Sequence, residues 1–82
     1  MTDAEILATV TDIARRAVGH DGAISTDQRL VEDLRLDSIK ALTLAVEVEN
    51  HFRIAIPPEA EASIATVGDL VRVIREALHE PE

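Results

Sequence analysis

The chain has 82 residues, and because 46% of them are apolar we predict one small globular domain over residues 1–82 rather than a disordered acidic tail. Sixteen acids against eight bases give a net charge of −8, which disfavours nucleic acid and anionic membranes as partners because both are negatively charged. There is no cysteine, so disulfides, thiolate metal sites and cysteine nucleophiles are excluded.

The chain lacks the sequence features of an exported or membrane-bound protein. No apolar run approaches the length of a membrane span, and the acidic residues 1–5 differ from the start of a signal peptide. We therefore expect a cytoplasmic monomer whose partners are other proteins. Phe52 is the single aromatic residue, so the core must be built from small aliphatic side chains.

The first predicted element is an amphipathic helix over about residues 2–18. Thr2 and Glu5 have the spacing of a capping box, and Gly19 is suited to the C-terminal end of the helix. The apolar positions recur at steps of three and four residues, as in a helix with one buried face. They are Ile6, Leu7, Val10, Ile13, Ala14, Ala17 and Val18.

Residues 19–37 show no helical period and contain several turn-forming residues. Five apolar side chains in this segment cannot all face water, so we predict a long ordered loop that they attach to the core. They are Ile24, Leu30, Val31, Leu34 and Leu36.

The strongest predicted helix runs from Ser38 to about Phe52, with Asp37 in a good position to cap its N-terminus. Two apolar rows give this helix a wide apolar face, so we expect it to contact most of the other helices. One row contains Ile39, Leu42, Ala45 and Val46, and the other contains Ala41, Leu44, Val48 and Phe52. The predicted solvent side contains Lys40, Thr43, Glu47, Asn50 and His51.

The remaining residues predict an extended segment, a short helix and a last helix. Pro57 excludes helix at the residue before it, and residues 59–64 have room for one or two helical turns. Thr66 and Asp69 resemble a capping box at the start of the last helix. Its predicted buried stripe is Leu70, Val71, Ile74, Ala77 and Leu78.

With Pro81 expected just past the end of the last helix, the elements add up to an all-α four-helix bundle. It has three main helices, one short helix and a long ordered first loop.

Most motifs that carry chemistry are missing. There is no Gly-rich phosphate loop, no G-x-S-x-G elbow and no base suited to a serine nucleophile. No two histidines have the spacing of zinc ligands. Glu32, Asp33 and Asp37 match no calcium loop, and charged residues that keep a loop in water are the favoured explanation. We therefore predict neither a catalytic residue nor a metal site.

The most informative segment is residues 30–39, in which Asp37 and Ser38 open a helix. A hydroxyl at the first position of a helix is accessible, although Asp-Ser on its own is typical of an ordinary N-cap. Leu34, Leu36 and Ile39 are expected to attach this turn to the core.

The order of motifs along the chain resembles that of the acyl carrier proteins, the phosphopantetheine-dependent carrier family. The family has an acidic-Asp-Leu turn, then Asp-Ser-Leu at a helix start, an apolar-x-Ile-Pro step and a Thr-Val-x-x-Leu helix start. The matching segments here are Glu32-Asp33-Leu34, Asp37-Ser38-Ile39, Ile54-Ala55-Ile56-Pro57 and Thr66-Val67-Gly68-Asp69-Leu70.

The resemblance implies that Ser38 carries a 4'-phosphopantetheine arm, transferred from coenzyme A by a phosphopantetheinyl transferase. Asp37 would support this modification by helping to hold the magnesium of the transferase. Acyl groups would then be carried as thioesters between acyl-transferring, condensing or acyl-activating enzymes, and the chain itself would not be an enzyme. The lack of cysteine fits, since no other thiol competes with that of the arm.

The resemblance also implies two further sets of residues. Partner docking is expected at Arg35, Ile39, Lys40, Thr43, Val46 and Glu47. Candidates for lining an acyl cleft are Leu42, Val46, Ile56 and Ile64, with an ordinary core role as the alternative. Arg35 stands where many family members have Gly, so the turn before Ser38 is expected to differ, because Arg does not take positive φ freely.

Two alternatives stay open at this point. Lys40 and Thr43 stand on a helix face that is typically acidic in fatty-acid carriers, so a carrier of polyketide-like, peptide or other specialised acyl groups competes with a fatty-acid carrier. From another class, a helical interaction adaptor that never takes the arm is also compatible. Residues 1–37 and 59–82 each carry −4, whereas residues 38–58 are neutral.

Overall fold

A computed structural model describes residues 1–79, which form four α-helices. They are α1 (Asp3–Val18), α2 (Ser38–Phe52), α3 (Pro58–Glu61) and α4 (Val67–His79). The predicted all-α bundle of three main helices and one short helix is therefore confirmed. The helix end expected near Pro81 lies outside the described residues.

Helix α1 is bounded by the two predicted caps. The Thr2 hydroxyl accepts the Glu5 N–H at 3.2 Å, and the Glu5 carboxylate accepts the Thr2 N–H at 2.9 Å. This capping box binds two amides that a helix N-terminus leaves without partners. At the other end Gly19 takes the left-handed conformation, with φ 69°, and its N–H donates to the carbonyl of Ala14.

The core lies where α2 and α4 both pack on α1. Its fully buried members are aliphatic, as the composition requires: Ile6, Val10, Val48, Val67 and Ile74. An ion pair of 2.7 Å between Arg75 and Asp3 joins α4 to the start of α1 at the surface. Among the helices of residues 1–79, none combines the length and apolar character needed to cross a membrane.

Helix α2 buries only one of its two apolar rows. Leu44 and Val48 are buried, but Ile39, Leu42 and Val46 are 75%, 58% and 43% exposed. Helix α2 packs mainly on α1, and the outer row of its predicted wide apolar face is left exposed among the described residues. The expectation that α2 contacts most other helices stays a prediction. We call these three exposed residues the α2 ridge.

The first loop is ordered and hydrogen-bonded to the residues that open α4. Three backbone N–H···O=C bonds of 2.8–3.1 Å join residues 26–30 to residues 65–68. A Cβ at Gly68 would lie 3.0 Å from the carbonyl oxygen of Thr26, so this close approach depends on glycine.

Of the side chains expected to attach the loop and its last turn to the core, Leu34 and Leu36 are buried. Val31 and Ile39 are 66% and 75% exposed, so the expectation is wrong for these two residues. Ile24 and Leu30 are half-buried and pack against the core, as expected. Four apolar side chains and the backbone bonds to residues 65–68 therefore hold the loop, which carries the chain to Ser38.

The predicted capping box of α4 is confirmed. The Asp69 carboxylate accepts the N–H groups of Ala65 and Thr66 at 3.0 and 3.1 Å, and the Thr66 hydroxyl accepts the Asp69 N–H at 3.1 Å. The bonds that the carboxylate accepts hold the pKa of Asp69 below its ordinary value of 3.8, and the bond from Ala65 has the largest effect. The preceding helix α3 is a single turn, shorter than the predicted residues 59–64, and opens with Pro58 at a position that suits proline.

Replacing Arg53 with Gly should stabilise the fold. Arg53 ends α2 with φ 56° and ψ 49°, a left-handed conformation that costs a residue with a Cβ about 1–2 kcal/mol. Gly avoids this cost but leaves the unfolded chain more freedom, so we expect a net gain of about 0.5–1 kcal/mol in the free energy of unfolding. Urea denaturation of Arg53→Gly measures it.

The matched control is Arg53→Ala, which removes the same charge and keeps a Cβ. It should show no gain. Equal stabilisation in both variants would attribute the effect to charge and contradict the backbone explanation.

Candidate functional site

The candidate site begins with Ser38, the first residue of α2, whose side chain is exposed. Asp37 precedes it in an extended conformation, and the Asp37 carboxylate accepts the N–H of Lys40 at 2.8 Å. The Asp37 carbonyl also accepts the N–H of Ala41 at 2.8 Å, which closes the first helical turn. The predicted N-cap is confirmed, and it fixes a serine hydroxyl at the start of a helix, on the protein surface.

The turn before Ser38 contains a strained residue. Arg35 stands where many family members have Gly, and the turn was expected to differ for this reason. Arg35 nevertheless takes the left-handed conformation, with φ 57°. The conformation costs about 1–2 kcal/mol and persists where the surroundings fix it. Here Leu34 and Leu36, on either side of Arg35, are both buried and hold the turn in place. The Arg35 side chain is exposed, three residues before Ser38.

The acidic residues near Ser38 each have a separate role. Glu32 forms an ion pair with Arg29 at 3.3 Å, and the Asp33 carboxylate accepts the Arg29 N–H at 2.7 Å. Asp37 is used as the helix cap. Within residues 1–79 no three His, Cys, Asp or Glu side chains come together in a group that could hold a metal ion.

An apolar pocket of about 280 Å³ lies beside Ser38, which contributes to its lining. Three of the four predicted cleft residues line it: Leu42, Ile56 and Ile64. Val46 does not line the pocket, although it lies on the α2 ridge with Leu42. The pocket thus collects side chains from α2, the first loop, the residues around α3 and the start of α4.

Sequence reasoning missed Glu61 as a pocket residue. Glu61 is the single charged residue among the described residues that line the pocket. Glu61 lies on the short acidic helix α3 beside Glu59, and nothing in the sequence separates the two as pocket and solvent residues. Only the path of the chain from α3 to α4 distinguishes them.

The predicted docking residues lie on the outer side of α2 and the turn before it. All are exposed except Thr43, which is half-buried and donates its hydroxyl to the carbonyl of Ile39 at 2.9 Å. A second, more polar groove of about 390 Å³ lies between α1 and α2, and Thr43 and Glu47 contribute to it. Ser38 does not line this groove, so the serine is associated with the apolar pocket.

Comparisons with known proteins agree with this geometry. Residues 5–74 match a family model described as a phosphopantetheine attachment site. The chain is 38% identical over 74 residues to an acyl carrier protein of Arthrobacter sp. (strain FB24), covering 89% of this chain and 91% of that protein. It is 32% identical over 81 residues to the meromycolate extension acyl carrier protein of Mycobacterium tuberculosis (strain H37Rv), covering 98% and 70%.

Among solved structures, an acyl carrier protein from Thermotoga maritima superposes with a TM-score of 0.84 at 26% identity, covering 93% of this chain and 89% of that one. The residues that match the family model include Ser38 and every residue lining the apolar pocket.

Proposed function

Because the chain belongs to the acyl carrier proteins, which carry acyl groups on a covalent 4'-phosphopantetheine arm, we propose that Ser38 bears the arm in this chain. The observation that carries the proposal is the exposed Ser38 hydroxyl at the first position of α2, fixed by the Asp37 cap. A helix N-terminus favours negative charge, so this position suits a phosphodiester. The cationic residues Arg35 and Lys40 lie close by in sequence and add to this preference.

In the attachment step, a base of the transferase would take the proton of the Ser38 hydroxyl, whose oxygen would bond to the pantetheine-bearing phosphorus of coenzyme A. The bond from that phosphorus to the bridging pyrophosphate oxygen would break, and adenosine 3',5'-bisphosphate would leave. The arm supplies a thiol on which acyl groups are carried as thioesters. Asp37 keeps the hydroxyl at the helix start and offers a carboxylate to the magnesium of the transferase. We propose that the chain acts as a carrier and leaves catalysis to its partner enzymes.

The test is an intact-mass measurement after incubation with coenzyme A, magnesium and a broad-specificity phosphopantetheinyl transferase. We expect a gain of one phosphopantetheine group per chain. No gain in a folded sample would favour the interaction adaptor, which has no support from the family match.

The partners are a phosphopantetheinyl transferase and enzymes that load, condense or otherwise transfer acyl groups. Tethering gives the cargo a high effective concentration at each of their active sites. The identity to a carrier named for meromycolate extension supports a specialised lipid pathway, beside the fatty-acid pathway that general acyl carrier proteins serve. The cytoplasmic location, the monomeric state and the single domain over residues 1–82 stay predictions.

The apolar pocket is proposed to receive the acyl chain. It is lined by Leu42, Ile56 and Ile64, and Ser38 lies at its edge. A volume of about 280 Å³ equals that of about nine liquid waters, so the pocket has room for part of an acyl chain.

The docking surface is proposed to be the α2 ridge with Arg35, Lys40, Thr43 and Glu47. Its charged side chains, Arg35, Lys40 and Glu47, sum to +1, so its net charge is small. Glu49, the other acid of α2, accepts the Ile56 N–H at 2.9 Å. Glu47 is therefore the acid of α2 that is free to face a partner.

Docking should depend only weakly on salt. Because the ridge is apolar and its charges nearly cancel, we expect the KM of the transferase for the chain to rise by no more than about threefold between low and high salt. The matched variant Lys40→Glu makes the surface acidic and should steepen the dependence. If the chain without substitutions lost affinity for the transferase steeply as salt increased, and Glu47→Gln abolished that loss, a docking surface dominated by apolar contacts would be contradicted.

A further inference from the structure

The apolar pocket beside Ser38 has one charged residue in its lining, Glu61. We propose that Glu61 makes this pocket selective for uncharged acyl groups, so that acyl groups ending in a carboxylate stay outside it. The inference rests on the proposed attachment of the arm at Ser38 and specifies the class of cargo that the pocket takes.

Burial shows where Glu61 lies in the pocket. Leu36, Leu44 and Leu70 contribute to the lining and are 3%, 2% and 3% exposed, so they form its floor. Glu61 is exposed and therefore lies at the opening. An acyl chain from an arm on Ser38 that reaches the leucine floor therefore occupies a pocket that Glu61 also lines.

Two effects act against an anionic acyl group, and both have the same sign. The apolar floor offers a carboxylate no hydrogen-bond donor in place of water, so entry incurs the cost of desolvating a charge. Glu61 adds repulsion between like charges, and the described residues lining the pocket include no Lys, Arg or His to offset it. An uncharged chain meets neither effect and gains from the burial of its methylene groups. A substitution of Glu61 removes the repulsion and leaves the desolvation cost in place, so it separates the two effects.

A pair of acyl groups of similar length tests the inference. The chain is loaded from heptanoyl-coenzyme A or adipyl-coenzyme A by a broad-specificity transferase, and intact mass follows cleavage of each thioester by hydroxylamine. Rates are divided by those of the matching free acyl-pantetheine. We expect the heptanoyl thioester to be cleaved several times more slowly than the adipyl thioester, because only the former enters the pocket.

Glu61→Gln should let a share of the adipyl chains enter the pocket and slow cleavage of their thioester by at most about threefold, the size of the repulsion between two charges separated by about 7 Å in water. Glu61→Lys should slow it further, because an ammonium group can pair with the adipyl carboxylate. The matched control is Glu59→Gln, which removes the same charge from the same helix at an exposed residue outside the pocket lining and should change neither rate.

Equal protection of the two thioesters in the chain without substitutions would overturn the inference. So would equal effects of Glu61→Gln and Glu59→Gln on cleavage of the adipyl thioester. An unprotected heptanoyl thioester would overturn it while leaving the attachment at Ser38 in place, since the acylated mass is then present. No mass gain at all would overturn the attachment at Ser38, and the inference with it.

Discussion

Replacing Ser38 with Ala should abolish attachment of the phosphopantetheine arm and leave the helical fold intact. Attachment requires a hydroxyl oxygen as the nucleophile, and Ala has none. Ser38 is exposed and starts α2, so its removal should change the free energy of unfolding by less than about 0.5 kcal/mol. Intact mass after transferase treatment should show a complete gain for the chain without substitutions and none for Ser38→Ala. Circular dichroism should show equal helix content in the two proteins.

The other two serines serve as controls, because their hydroxyls are already engaged. Ser25 donates to the Asp27 carboxylate and Ser63 to the Ala60 carbonyl, both at 2.6 Å. Ser63→Ala should therefore keep the full mass gain. A gain that persists in Ser38→Ala, or one that is lost in Ser63→Ala, would assign the arm to a different residue.

Features set by neighbours in sequence were predicted correctly. The caps formed by Thr2 with Glu5, by Asp37 with Lys40 and by Thr66 with Asp69 each join residues three positions apart. Such hydrogen bonds form whenever the helix begins there, whatever the rest of the chain does. The candidate serine differs, because a capped Asp-Ser is common and only the order of several motifs along the chain distinguished Ser38.

Features set by tertiary packing were predicted less well. Periodicity indicates which residues of α2 share a face, but not which face another helix covers. Leu42 and Val46 have the same apolar character as Leu44 and Val48, yet only the latter pair is buried, against α1. Similarly, Glu61 belongs to the pocket because of the path of the chain after α3, for which the sequence contains no local signal.

The contrast between covered and uncovered faces leads to the prediction with the largest effect on stability. Ile6 is 0% exposed in the core, and truncating a buried isoleucine to alanine costs about 2–5 kcal/mol. Small domains have only about 5–15 kcal/mol in total, so Ile6→Ala should lose much of its folding stability in urea denaturation. The same substitution at Ile39, which is 75% exposed, should cost less than about 0.5 kcal/mol.

Ile39→Ala also separates stability from docking, since this variant is expected to fold normally. If the α2 ridge is the docking surface, truncating it should raise the KM of the phosphopantetheinyl transferase for the chain, because an interface with nearly balanced charge depends on apolar contact. A loss of stability above about 2 kcal/mol in Ile39→Ala would mean that this side chain is covered in the folded protein. An unchanged KM in a stable variant would exclude Ile39 from the docking surface and leave its exposure without a function.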